Sequence, residues 1–416
     1  MSGTGFIAKP EDLRIIHMAG PGDACQVLRN MANGLESDDV SHVAYSRLVF
    51  EVARDLGAHL LSVSTHGRRD DFTHGRIRAV SRPDPTTGKS GIGFHLANIR
   101  LAMEVRRDVT EFGANVLVSV PSPYPFLIES LASRGVKIVP ALHAILWPEF
   151  RRPTLARRLA VQLCRRFYSS TSPAILTHPG GAVRQVLELT GGQSSPLVEF
   201  LPLFRRGMFA QVQPPRWDTP LLRVITVGRV EPDKGIYALI DVARRIRQAG
   251  KVAVHFDVCG TGSALDEARR QVTELGLDDT MVLHGWTEMD QLKQLWSDSH
   301  VAVVPTTSDF VEGFNQVVVE AILAGRPVIT SRVCPALDYV RPCAIEVDVD
   351  DVAGYVNAIT KLAAGREHYL RLQSKTGAAA AQFFDERNSF GAALRHVLKG
   401  LMSSQPVRPV ALPPKF

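Results

Sequence analysis

The chain has 416 residues, 45% hydrophobic and 22% charged, which sets an expectation of two globular domains and argues against a disordered or fibrous protein. Its net charge of +6 is uneven: residues 1–210 carry 25 Lys+Arg against 18 Asp+Glu, and residues 211–416 carry 23 against 24. An anionic ligand or surface is therefore expected on the first half. No apolar run approaches the roughly 20 residues of a membrane-crossing helix, and the first residues lack a signal-peptide core. Five scattered cysteines with no CxxC spacing give no disulfide or zinc signature and fit a reducing cytoplasm.

In chain order, residues 13–18 read as a strand that runs into Gly20-Pro21-Gly22-Asp23 and then a helix to Gly34. Strand, glycine turn and helix aim backbone N–H groups at a phosphate, although a plain tight turn fits these residues equally well. A helix over 41–57 and strands over 58–64 and 76–80 follow. The loop 81–93 contains Gly88-Lys89-Ser90, the end of a phosphate loop, but Pro83 stands where the earlier glycine belongs, so this reads as surface. Helix 94–112, strand 115–120, a helix after Tyr124 and strand 136–141 complete an alternation that calls for a parallel sheet. Ligands of such sheets sit beyond the carboxyl ends of the strands, where His143 falls.

Residues 150–187 hold no acid and seven arginines. Leu155, Leu159, Leu163 and Phe167 fall on a helical stripe among them. A basic amphipathic helix of this kind can lie on an anionic membrane, through Arg151, Arg152, Arg157, Arg158, Arg165 and Arg166. The plainer alternative is a solvated basic face packed down by its leucines. No nucleic-acid-binding module is present. Strands over 174–177 and 197–201 end this half.

The organisation expected is a Rossmann-like domain over 1–204, a Pro-rich linker over 205–220 and a second Rossmann-like domain over 221–388. Helix 389–404 is a candidate to cross back to the first domain, and 405–416 reads as a flexible tail. In the second half, strand 222–227 runs into GRVEPDKG at 228–235, where Arg229 and Lys234 flank a tight turn in a way that suits a diphosphate. Strand 252–259 runs into GTGS, and strand 281–284 into Gly285-Trp286. Val301–Val304 is a buried strand. The helix expected from Asn315, a good cap residue, is apolar nearly all round and ends at Gly325 and Pro327. Two carboxylates interrupt this unit, Glu312 in the loop and Glu320 in the helix. A buried carboxylate is costly unless it is paired. The structural explanation pairs Glu320 with Arg326 and leaves Glu312 solvated. Asp348-Val349-Asp350 has the form of a metal motif and reads as surface, away from this stretch.

Four pieces, GRVEPDKG, CGTGS at 259–263, LHGW at 283–286 and EGFNQVVVEAILAGRPVI at 312–329, resemble the retaining GT-B glycosyltransferases of the family 4 class. Glu312 and Glu320 have that class's E-x7-E spacing. In the first half MAGPGD at 18–23 and PALHA at 140–144 match more loosely, and 41–64 and 142–153 look like bacterial transferases of polysaccharide operons. The resemblance implies two Rossmann-like domains with parallel sheets facing across a cleft. It implies transfer of a sugar from a UDP- or GDP-sugar to a polysaccharide or polyprenyl-linked acceptor, with retention and without a metal or other cofactor.

Residue by residue, it implies Arg229 and Lys234 on the donor diphosphate and Glu320 on the ribose. Glu312 falls on the transferred sugar, with amides of Gly313, Phe314 and Asn315 around it. His143 would reach that sugar, so His143 and Glu312 are the candidate catalytic residues. Gly22 and Gly262 would approach the phosphates, and Trp286 the base. The class commonly has glycine where this chain has Asn315, which puts the donor in question. The location expected is the cytoplasm, with the inner face of the cell membrane as a candidate peripheral site. Rival readings keep the fold but make it an epimerase, a soluble sucrose-type synthase or a non-catalytic sugar-nucleotide-binding partner.

Overall fold

The computed structural model describes residues 12–35, 44–89, 91–120, 124–403 and 405–414. The expected helix start at 41–43 and Ser90 of the Gly-Lys-Ser triplet lie outside the described residues. The chain forms two compact units: residues up to 146, 153–203 and 386–413 make the first, and 147–152 with 204–385 make the body of the second.

The first unit is built on an eight-stranded sheet of β1 (Arg14–Pro21), β2 (His59–Thr65), β3 (Asp70–His74), β4 (Ile77–Arg82), β5 (Val116–Ser119), β6 (Lys137–Leu142), β7 (Ile175–Thr177) and β8 (Leu197–Glu199). Its order is β3-β4-β2-β1-β5-β6-β7-β8, parallel except for the β3–β4 hairpin. Strand β3 was not expected from the sequence. Its segment DDFTH has no apolar alternation, and it is held by pairing with β4 and by Arg29, whose Nη2 donates to Asp70 at 2.7 Å. The last long helix, Phe390–Met402, belongs to this unit and adds Phe390, Leu394, Val397 and Leu398 to the core beside Leu60, Val116 and Phe50.

The tail corrects a sequence expectation. Residues 405–414 are not loose: the Val410 N–H donates to Leu197 O at 2.9 Å, and the Glu199 N–H donates to Val410 O at 2.9 Å. The cause is the open edge of β8, whose unpaired backbone groups take a partner from a segment too rich in proline to advertise a strand.

The second unit carries β9 (Leu221–Val227), β10 (Ala253–Cys259), β11 (Met281–Gly285), β12 (Val301–Val304), β13 (Val328–Ser331) and β14 (Ala344–Val347). All pairs are parallel, in the order β11-β10-β9-β12-β13-β14. That order places the reversal between β9 and β12, where such sheets open a crevice beyond the strand ends. Val227 pairs with Cys259 in register, so the loops after β9 and β10 leave the sheet side by side. Strand β12 is buried at all four positions, as a run of Val and Ala in a central strand should be.

The expected linker 205–220 packs on this unit instead of spanning a gap. The Trp217 ring lies 4.4 Å from that of His300, and Arg216 O accepts from His300 Nε2 at 2.8 Å. Among the described residues, no helix is long and apolar enough to cross a membrane.

Candidate active site

The loops after β9, β10 and β12 are fastened backbone to backbone, and glycines make this possible. A Cβ on Gly260 would stand 1.8 Å from Gly228 O, and one on Gly262 would stand 2.2 Å from Val230 O. Across the same contact the Gly228 N–H donates to Cys259 O at 2.9 Å and the Val230 N–H to Thr261 O at 2.9 Å. On the other side, a Cβ on Gly235 would meet Pro305 O at 2.0 Å, while the Thr307 N–H donates to Asp233 O at 3.0 Å. Gly262 therefore has a packing role of its own, separate from the phosphate contact that the resemblance implies.

This fastening sets Lys234 beside Glu312. Lys234 Nζ donates to Glu312 Oε2 at 2.8 Å. Asn315 Nδ2 donates to the same oxygen at 2.8 Å, and the Gly313 N–H donates to Oε1 at 3.0 Å. Glu312 is only 5% exposed, which corrects the expectation of a solvated loop residue. Its burial is sustained by a cation and two N–H donors, as a buried carboxylate requires. Phe310, which sequence reasoning missed, lies beneath both cations: Lys234 Nζ stands 3.6 Å from its ring centroid and the Arg229 guanidinium 5.7 Å. One aromatic face thus gathers the two positive groups. A lone Phe in a polar loop was the available signal.

Asn315 precedes helix Gln316–Leu323 with φ +59, and its side chain makes no cap bond. It turns back to Glu312 instead, so the cap role expected for it is corrected. A left-handed residue is comfortable only as glycine or, less so, as Asn or Asp. The backbone therefore accounts for Asn at a position where glycine is common in the resembling class.

Glu320 is buried in that helix at 4% exposure. The Arg326 guanidinium donates to main-chain oxygens: Nε to Trp296 O at 2.9 Å, Nη1 to Ala324 O at 2.8 Å and Nη2 to Ser297 O at 3.2 Å. The Phe314 ring is core, 5.3 Å from Tyr339 and 6.0 Å from Phe383, so only its backbone is available to a ligand. Trp286 is exposed, with Nε1 donating to Glu288 Oε1 at 2.8 Å. Asp350 is not remote from the signature: its Oδ1 accepts from the Ser308 N–H at 3.0 Å, which ties it to the loop leading to Glu312.

In the first unit, His143 follows β6 and sits among aromatic rings, 4.4 Å from Tyr45, 5.3 Å from Phe390 and 5.4 Å from Phe200. Gly22 has φ +136 and donates its N–H to Thr65 O at 3.1 Å, so the turn is anchored to the neighbouring strand. Asp23, Cys25 and Asp70 bring possible metal-ligand atoms within 4.8 Å of one another. Asp70 is already chelated by Arg29, and Asp23 accepts from the Gln26 N–H at 3.0 Å to cap a helix.

The six arginines of the basic segment divide. Arg151 is ion-paired with Asp309, and Arg157 Nε donates to Leu146 O at 2.9 Å. Arg152, Arg158, Arg165 and Arg166 are exposed, with Arg166 Nε 3.6 Å from Glu129. The leucines do not pack this face down. On helix Leu155–Leu163, Leu155 is 80%, Leu159 64% and Leu163 52% exposed, while Ala160 and Cys164 face inward.

Residues 210–378 match the family model described as glycosyl transferases group 1. A lipopolysaccharide 1,6-galactosyltransferase of Escherichia coli K12 is 30% identical over 154 residues, 35% of this chain and 40% of that protein. Alignments with the curated relatives span 28 to 40% of the relatives' own length. Among solved structures, sucrose-phosphate synthase from Thermosynechococcus elongatus superposes with a TM-score of 0.65 at 15% identity, covering 93% of this chain and 97% of that one. Anabaena HepE in complex with UDP and glucose superposes with a TM-score of 0.61 at 18% identity, covering 94% and 100%. Two α/β units with parallel-dominated sheets and these structural neighbours define the GT-B fold. The second unit carries the stretch that matches the group 1 family.

Proposed function

We propose that the protein is a retaining, metal-independent glycosyltransferase of the family 4 class. It moves a hexose from a UDP- or GDP-sugar to a saccharide acceptor, polysaccharide or polyprenyl-linked, in cell-surface polysaccharide synthesis. The observation that carries this reading is the pair of cations gathered on Phe310 beside the buried Glu312. Lys234 has three N–H donors, and its bond to Glu312 uses one. The others and Arg229 suit the oxygens of a diphosphate. As the glycosyl–oxygen bond to phosphate breaks, negative charge grows on the leaving group and positive charge on the sugar carbon. Fixed cations stabilise the first, and a carboxylate at the sugar stabilises the second. The acceptor hydroxyl forms the new glycosidic bond on the face that the phosphate leaves, and its proton passes to the departing phosphate oxygen. Glu320 takes the ribose, and the amides around Gly313 take the sugar.

The group 1 match, the lipopolysaccharide galactosyltransferase relative and the neighbour solved with UDP support the reaction class. Arg158, Arg165 and Arg166 of the first unit would dock the chain on an anionic membrane at the cytoplasmic side, as a peripheral protein. A thermal-shift screen of UDP- and GDP-hexoses, followed by nucleotide release with and without acceptor, tests the proposal. Glu320→Ala is expected to lower turnover at least a hundredfold without unfolding the chain. A wild-type rate in that variant would overturn the donor-site assignment.

A further inference from the structure

Fourteen large apolar side chains are exposed among the described residues, and seven of them lie on two helices of the first unit. Helix Gly91–Phe112 presents Ile92, Leu96, Ile99 and Met103, and helix Leu155–Leu163 presents Leu155, Leu159 and Leu163. Scattered exposed leucines need no explanation, but repeats of three, four and seven residues put each set along one helix face. These faces stand opposite to what folding alone produces: on the first helix Ala97, Ala102, Val105 and Val109 form the buried side, and the larger residues Ile92 and Leu96 face solvent.

The two helices also flank one cavity of about 250 Å³. Phe94 comes from the first helix, Val161 and Ala160 from the second, and Val120, Tyr124 and Tyr168 close it. Its lining is apolar apart from Asn98 and Arg157. Next to it, residues 150–187 contain no acid, and Arg158, Arg165 and Arg166 are exposed.

We propose that this face is a lipid site: the two apolar stripes enter the acyl layer of an anionic bilayer, and the cavity between the helices takes one hydrocarbon chain. This rests on the reading of the arginines as a membrane dock and adds what they would dock for. Charge decides the occupant. A protein partner or a second copy would normally meet aromatic anchors and a rim of mixed charge. Here the stripes have only Leu, Ile and Met, and the rim around the second helix is predominantly cationic, with Arg158, Arg165 and Arg166 exposed against Glu129, which stands 3.6 Å from Arg166; such an excess suits phosphate headgroups. The exposed apolar residues supply insertion, and the arginines supply attraction that salt weakens.

The test uses the full chain with vesicles of phosphatidylglycerol and phosphatidylcholine, or phosphatidylcholine alone, at 0.1 and roughly 0.5 M salt. Wild type is expected to float with the anionic vesicles and to stay partly bound in high salt. The triple variant Leu155→Ser, Leu159→Ser, Leu163→Ser is expected to bind at least tenfold more weakly and to be stripped by salt. Its unchanged melting temperature would show that the fold survives, since these side chains are already in solvent. A triple Arg→Gln variant at Arg158, Arg165 and Arg166 should lose the preference for anionic lipid but keep salt-resistant binding.

For the cavity, a dansyl-labelled eleven-carbon fatty acid should bind wild type without vesicles. Val161→Trp should abolish this, with Val161→Met as the milder variant if the first unfolds. If the serine variant binds vesicles as wild type does while the arginine variant does not, the lipid-insertion proposal falls and the arginine dock stands. If wild type ignores vesicles but sediments as a dimer that the serines dissolve, a second copy covers the face and the proposal also falls.

Discussion

Asn315 gives the sharpest test of the site's construction. Its side chain donates to Glu312 at 2.8 Å, and its backbone holds φ +59. The two properties separate by substitution. Asn315→Gly keeps the backbone relaxed and removes the bond. A hydrogen bond to a charged group contributes about 1.5–3 kcal/mol, so this variant should lose that amount. Asn315→Ala removes the same bond and adds left-handed strain of about 1–2 kcal/mol. The expected order of stability is therefore wild type, then Gly, then Ala. Urea unfolding of the full chain, read from the transition of the second unit, measures the two gaps. Alanine as stable as glycine would refute the claim that the backbone selects this residue. The same pair tests donor choice. Asn315→Gly releases acceptor capacity on Glu312 Oε2, so KM for a UDP-hexose should change with sugar identity while the Kd of free UDP does not.

Further expectations follow from the loops and the buried histidine. Lys234→Ala leaves Glu312 buried with only neutral donors, so donor turnover should fall at least a hundredfold and the melting temperature should drop; unchanged kcat/KM with a UDP-hexose would exclude the diphosphate role. Gly260→Ala places a Cβ 1.8 Å from Gly228 O, so the expected cost exceeds about 3 kcal/mol, checked by the urea midpoint. His17 is buried on β1 with Nδ1 3.1 Å from Ser62 Oγ, and burial, aided by His143, pushes its pKa from 6.5 down to about 3. The native state then binds fewer protons than the unfolded state, so its stabilisation is complete above pH 6.5 and is lost as pH falls toward 3. The ceiling is roughly 5 kcal/mol, and His17→Asn should flatten the slope of the urea midpoint between pH 7 and about pH 4.

The second unit was largely legible because β9, β10, β11 and β12 are mostly apolar runs ended by glycine or proline, and its helix over 316–323 is apolar nearly all round. Lys234 stands out at a turn beyond a strand end and Glu312 as a carboxylate in an apolar unit, while the donor-site roles of Glu312 and Asn315 come from the resemblance. Their mutual bonds are not legible, because spacing along a chain does not say that Asn315 turns away from its own helix toward Glu312. Phe310 left no period to detect. Strand β3 is polar and residues 405–414 are proline-rich, and their structure comes from edges offered by β4 and β8, which is tertiary information. The stripe at 155, 159 and 163 reads as a helix face, and of its two expected placements the one that packs the leucines down is the one that fails. Small residues, Ala160 and Cys164, mark the inward face there, and a hydrophobic period favours the larger ones.

The composition of the first unit has a consequence for synthesis. Its core needs Phe390, Leu394, Val397 and Leu398, which follow the whole of the second unit in the chain. At 5–20 residues per second, roughly 10–40 s separate residue 203 from residue 386 on the ribosome. During that interval the second unit, almost continuous in sequence, can close, while the first carries an uncovered apolar groove along β7 and β8. The nascent first half is therefore the part exposed to chaperones and to misassociation. A stop codon anywhere before 390 would leave that half open for good.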